Sequence, residues 1–194
     1  MSQPYISDKI LRFLSDTKKT AKVLDIATQY LLEILNKEFL ELYGADISSV
    51  NFKLDKNIYN FSQINANKEL PYVDNFFDVI ISSETIEHVQ NPIFFLEELY
   101  RILKKDGIFI LTTPNVETIF SKIYFLLTLA GHTYNDYING HITILTSQLI
   151  DRFTNKIFKS VNKTYNSFYI PLRLFSRNLI NKLFGCVSIY KFVK

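Results

Sequence analysis

The stretch FFDVIISSETIEHVQNPIFFLEELYRILKKDGIFILTTPN, residues 76–115, constrains the fold more than any other part of the chain. It opens with the strongly apolar run FFDVIIS, of the kind that is buried on both faces of a parallel sheet. Asn91 then supplies an N-cap and Pro92 a first helical position. Phe95, Leu99, Ile102 and Leu103 fall on one helical stripe, with Lys104 and Lys105 at the negative end of the helix dipole. Asp106-Gly107 turns the chain into a second apolar strand, IFILTTPN. Strand, helix and strand in this order describe a parallel βαβ unit.

The rest of the chain extends that unit. Helical spacing runs from Ile6 to Lys18, KVLDI is a short buried strand, and YLLEILNKEF follows as an amphipathic helix. LELYGAD reads as a strand ending in an acid, and IYNFSQIN as another strand. The pattern predicts a Rossmann-like α/β fold, a doubly wound and mostly parallel sheet. Downstream, TSQLIDRFTNKIF and IPLRLFSRNLINKLFG read as helices, and CVSIYKFVK as a terminal strand in the same sheet. Repeats, low-complexity tracts and Pro/Gly/Ser linkers do not occur, so residues 1–194 are expected to form a single domain.

Composition removes several function classes. One cysteine, Cys186, excludes an internal disulfide framework and a thiolate metal cluster, and fits a reducing compartment. The N-terminus lacks the basic-then-apolar order of a signal peptide. The longest apolar run, IYFLLTLAG, is much shorter than the roughly 18 residues of a membrane span. A cytoplasmic protein is expected. Charge is unevenly placed: 12 Lys/Arg against 17 Asp/Glu through Glu117, then 10 against 2 from Thr118. A basic second half suits an anionic or lipid-linked substrate or a surface, or simply a solvated face. Residues 170–184 interleave Arg173, Arg177 and Lys182 with Leu and Phe; packing on the sheet is the simpler reading, a membrane surface the other. Basic residues are too dispersed to predict nucleic-acid binding.

Ligands of open parallel sheets bind beyond the carboxyl ends of the strands. That rule selects Asp25 with the Ala27–Gln29 turn, Asp46, Asn65, and Ser82, Ser83 and Glu84. An acid ending the second strand can accept hydrogen bonds from both ribose hydroxyls, so an adenosine is expected. A dinucleotide is not, because G-x-G-x-x-G is missing.

Residues 76–115 closely resemble the central stretch of class I S-adenosylmethionine-dependent methyltransferases, the small-molecule O-methyltransferases in particular. Their pattern FDVV…SEVIEHL…P…LEExxRVLKPGG…LxxTPN is present nearly letter for letter, with Lys105-Asp106 departing from its proline-glycine. ELPYVDNFFD upstream and GHITILTSQLIDRF downstream are also similar to family segments. The resemblance implies S-adenosylmethionine as cofactor and methyl transfer to a small-molecule oxygen, a sugar or glycan precursor for example. It places Asp46, with Ile47, at the ribose, and Asn65, with Ala66, at the adenine. Ser82 and Ser83 fall where backbone approaches the methionine moiety, and Asp25 matches the acid of VLDIGCGTGYLLE. His88 and His141 become the candidate bases, each with a structural role as the alternative. Glu84 and Glu87 could pair as an acid and a base, but capping or solvation is the simpler expectation, and no spacing singles out a metal site.

One departure is local. Against the family's GCGTG this chain has Ala27, Thr28 and Gln29, two residues fewer and without glycine. Glycines there permit positive φ and let the methionine tail lie close to the backbone. The short turn therefore predicts an alternative in which the fold persists as a non-catalytic binding or partner module. Binding of another adenosine compound, lacking the methionine tail, is a third reading.

Overall fold

A computed structural model describes residues 3–27, 29–48, 59–128, 140–165, 183 and 185–194. Helix α1 (Gln3–Phe13) precedes β1 (Lys22–Ile26), α2 (Gln29–Leu35), β2 (Glu41–Asp46) and β3 (Tyr59–Gln63). Then come β4 (Phe77–Ser83), a 3-10 turn (Ile86–His88), α3 (Pro92–Ile102) and β5 (Leu103–Pro114). Helices α4 (Ile119–Thr128) and α5 (Ser147–Thr154) and strands β6 (Lys159–Tyr165) and β7 (Val187–Val193) complete the described chain.

The described strands form one seven-stranded sheet of order β3-β2-β1-β4-β5-β7-β6. The first five run parallel, and β7 joins β5 and β6 antiparallel. This is the doubly wound, mostly parallel α/β architecture that the sequence predicts. Order reverses between β1 and β4, where successive crossovers take opposite sides. Two apolar layers sit on the two faces. Ile10 of α1 and Leu31, Leu32 and Leu35 of α2 pack on Val23, Val79, Ile81 and Ile110. Phe95, Leu96 and Leu99 of α3 and Ile150 of α5 pack on Leu24, Ile80, Phe109, Tyr190 and Phe192. Neighbouring strand residues point to opposite faces, so apolar runs such as Val79-Ile80-Ile81 serve both layers.

Helix α3 begins as its sequence dictates: the Asn91 side chain accepts from the Phe94 N–H at 3.1 Å, with Pro92 at the start. It ends earlier than expected. Leu103 is extended (φ −78, ψ 137) and pairs with Phe77, so Lys104 and Lys105 belong to β5 and not to the helix end. Lys104 meets Asp78 at 2.7 Å, and the basic residue in the last helical turn is Arg101. Arg101 fixes the approach to β4: its guanidinium donates to both oxygens of Glu98, to Asp74, and to the carbonyls of Leu70 and Tyr72, all within 2.8–3.0 Å. Glu98 in turn accepts from the Leu70 N–H at 2.8 Å.

The terminal strand joins the same sheet, as expected. Strand β6 and helix α4 were not anticipated: KSVNKTY is polar, and the apolar α4 sequence had been notable only for its length. The helix expected over residues 170–185 lies almost wholly outside the described residues. None of the described helices is long and apolar enough to cross a membrane.

Candidate functional site

At the switch point, a cavity of about 330 Å³ opens beyond the carboxyl ends of β1 to β4. Ile26 ends β1 and Ala27 follows it, Asp46 ends β2 and Ile47 follows it, Ile64, Asn65 and Ala66 follow β3, and Glu84 and Thr85 follow β4. His88 and Val89 close it from the 3-10 turn. Of the residues selected from sequence, Ala27, Asp46, Ile47, Asn65, Ala66, Glu84 and His88 thus share one pocket. Asp25, Ser82 and Ser83 do not line it; they are 1%, 0% and 5% exposed within the strands. Gln29 opens α2.

The donor set suits a nucleoside. Asp46 accepts from the Ser48 N–H and hydroxyl at 3.0 and 3.1 Å through one oxygen. A carboxylate has about four acceptor positions, so capacity for ribose hydroxyls remains. Asn65 accepts the Asn67 N–H at 2.9 Å, which shapes the turn after β3, and its carbonyl oxygen has a second lone pair. The buried hydroxyls of Ser82 and Ser83 meet no hydrogen-bond partner among the described residues. Ala27 is left-handed (φ 64), with its N–H donating to the Ala45 carbonyl at 2.9 Å. The turn thus keeps a glycine-like conformation without the glycine.

Glu84 and Glu87 behave differently from expectation. Glu84 faces the pocket with φ 49, and Thr112 secures it: the Thr112 hydroxyl lies 3.1 Å from its carboxylate. Burial pushes this carboxyl up to about 7, against the opposing pull of the Thr112 hydrogen bond. Glu87 is 2% exposed and accepts from the Thr113 hydroxyl at 3.2 Å, so neither acid is a solvated cap.

The two histidines meet across the fold. The Ile142 and Thr143 N–H groups donate to the Glu87 carbonyl at 2.8 and 3.1 Å, and His88 Nδ1 lies 3.2 Å from the Gly140 carbonyl. These bonds bring the imidazoles of His88 and His141 to a centroid separation of 4.7 Å at 70°. One donor atom from each of Glu87, His88 and His141 lies within 4.8 Å of the others. A carboxylate beside two imidazoles can orient a base, and it is also a donor set that a divalent metal takes. Local spacing conceals this trio because His141 is distant in sequence; the only sequence signal was its place in GHITILTSQ. His88 lines the larger cavity, whereas Glu87 and His141 line an adjoining crevice of about 10 Å³.

Sheet order and switch-point pocket together define the doubly wound, ligand-binding α/β class. Residues 2–156 match the family described as methyltransferase domain, and the chain belongs to that family. S-adenosylmethionine is the family's methyl donor. The chain is 30% identical over 139 residues to the biotin biosynthesis bifunctional protein BioHC of Teredinibacter turnerae, covering 61% of this chain and 24% of that protein. It is 31% identical over 126 residues to the ubiquinone biosynthesis O-methyltransferase of Pelagibacter ubique, covering 61% and 52%. The chain therefore spans between a quarter and about half of these relatives' lengths. In fold it is similar to a SAM-dependent methyltransferase from Archaeoglobus fulgidus, with TM-score 0.70 at 19% identity over 100% of this chain and 95% of that one.

Proposed function

We propose that this domain transfers the methyl group of S-adenosylmethionine to an oxygen of a small molecule such as a sugar or glycan precursor. The observation that carries the reading is the pocket itself, which gathers Asp46, Asn65 and His88, with Glu87 and His141 next to His88 in the adjoining crevice. When bound, the donor supplies an electrophilic methyl on a sulfonium leaving group. Asp46 accepts from the ribose hydroxyls, and Asn65 accepts from the adenine amino group. The apolar residues Ile47, Ile64 and Val89 exclude water from the nucleoside. His88, or His141 through it, takes the proton of the acceptor hydroxyl, and buried Glu87 orients the imidazoles.

The test is calorimetric titration with S-adenosylmethionine, in the unmodified protein and in Asp46→Ala. Binding in the micromolar range that Asp46→Ala weakens at least about tenfold is expected, since one carboxylate would lose two hydroxyl partners. Unchanged affinity would sink the assignment. Once an acceptor is found, turnover that resists a chelator assigns the trio to proton transfer; turnover that a chelator abolishes assigns it to a cation.

A second reading rests on the Ala27 turn. By the sequence resemblance Ala27, Thr28 and Gln29 replace a glycine-bearing stretch, which favours a module that keeps the fold and has given up the methionine tail. Adenosine binding without S-adenosylmethionine binding would select it.

A further inference from the structure

The pocket is charged on one side only. Asp46 and Glu84 are its acids, and no lysine or arginine lines it among the described residues; His88 is its remaining titratable group. Glu84 is built in, not placed by chance. Its backbone is left-handed, its N–H donates to the Thr112 carbonyl and hydroxyl at 3.1 and 3.2 Å, and the Thr112 hydroxyl returns a bond to the carboxylate. A non-glycine residue held in that conformation at a pocket wall is strain of the kind found at ligand sites. Burial opposes the ionised form, and the described ion pairs do not include Glu84.

Strand order gives Glu84 its place relative to Asp46. A nucleoside with its base towards β3 and its ribose hydroxyls at Asp46 on β2 has its 5′ substituent on the β1–β4 side. Adjacent strand ends are ~4.8 Å apart, so Glu84 stands about two spacings from Asp46, with Ala27 between them. We propose that Glu84 is a specificity-determining residue that makes the site prefer a nucleoside with positive charge at the position of the 5′ sulfur, and so favours the sulfonium donor over the product, whose thioether is neutral there. This rests on the reading of the pocket as the S-adenosylmethionine site. The charge lost from sulfur when the methyl leaves removes the counter-ion of Glu84, which promotes exchange of product for donor.

The experiment compares three ligands at pH 8: S-adenosylmethionine, S-adenosylhomocysteine, and sinefungin, whose amine puts a cation in place of the sulfonium. The unmodified protein is expected to bind both cationic ligands about tenfold tighter than S-adenosylhomocysteine, the scale of one partly buried charge pair. Glu84→Gln removes a charge that burial opposes, so the fold is retained. In that variant the three affinities converge to within about threefold, with S-adenosylhomocysteine unchanged. Glu84→Asp keeps the charge and a preference of the same sign. Equal affinities in the unmodified protein, or a preference that survives Glu84→Gln, overturn the role of Glu84 alone. Failure of all three ligands to bind the unmodified protein overturns the cofactor assignment, and this inference with it.

Discussion

Replacing Ala27 by glycine probes the turn that follows β1. At φ 64 the alanine occupies the left-handed region, where a Cβ crowds the carbonyl and costs ~1–2 kcal/mol. Glycine removes that cost but gives the unfolded chain more freedom, an opposing ~0.4–1 kcal/mol. Ala27→Gly should therefore stabilise the domain by ~0.5–1 kcal/mol. In a domain of this size each kcal/mol moves the melting temperature by ~2–4 °C, so a rise of ~1–4 °C is expected. Thermal denaturation followed by circular dichroism, with the urea midpoint as a second measure, reads the change. Ala27→Val should move both in the opposite direction, because a β-branched side chain tolerates positive φ poorly. A loss of ~0.5–1 kcal/mol in Ala27→Gly, the ordinary cost of glycine in a regular element, would refute a left-handed turn.

Two further outcomes follow from the buried charges. Arg101→Lys keeps the charge but loses the planar fork that joins Glu98, Asp74 and two backbone carbonyls, and should lower stability by ~1–3 kcal/mol, read as a lower urea midpoint at constant slope. The Glu84 carboxyl, raised in the folded state from 4.5 to about 7, binds its proton more tightly folded than unfolded. Its contribution to stability is therefore fully present below about 4.5 and is lost as pH rises towards 7; urea titrations should show that component in the unmodified protein and not in Glu84→Gln.

The parallel part of the sheet was legible because its strands are apolar on both faces and its helix starts carry their own signals. Asn91-Pro92 located α3 to the residue, whereas its end was misplaced because Leu103 is as good a helix former as it is a strand partner for Phe77. Strand β6 gave no apolar alternation, since it lies at the sheet edge and pairs only with β7. Half of the pocket followed from the rule that ligands sit beyond strand ends, which found Asp46 and Asn65. The part that escaped was tertiary. The strand-end rule reaches Glu84, but no local signal reports its left-handed backbone or its bond to Thr112, and Glu87 reads as solvated until Thr113 covers it. The encounter of His88 with His141 has no local pattern to report it.

That encounter hangs on backbone. The segment carrying His141 is tied to the 3-10 turn by two amides on a single carbonyl, that of Glu87, and by a contact between groups 52 positions apart. These bonds lie outside the strand ladders, so opening them does not require any strand to leave the sheet. Residues 140–143 can therefore part from the 3-10 turn while Asp46 and Asn65, at the ends of β2 and β3, keep their places. On the proposed function, binding of donor and readiness for transfer are then separable properties, and a change in the partners of the Glu87 carbonyl would touch the second before the first.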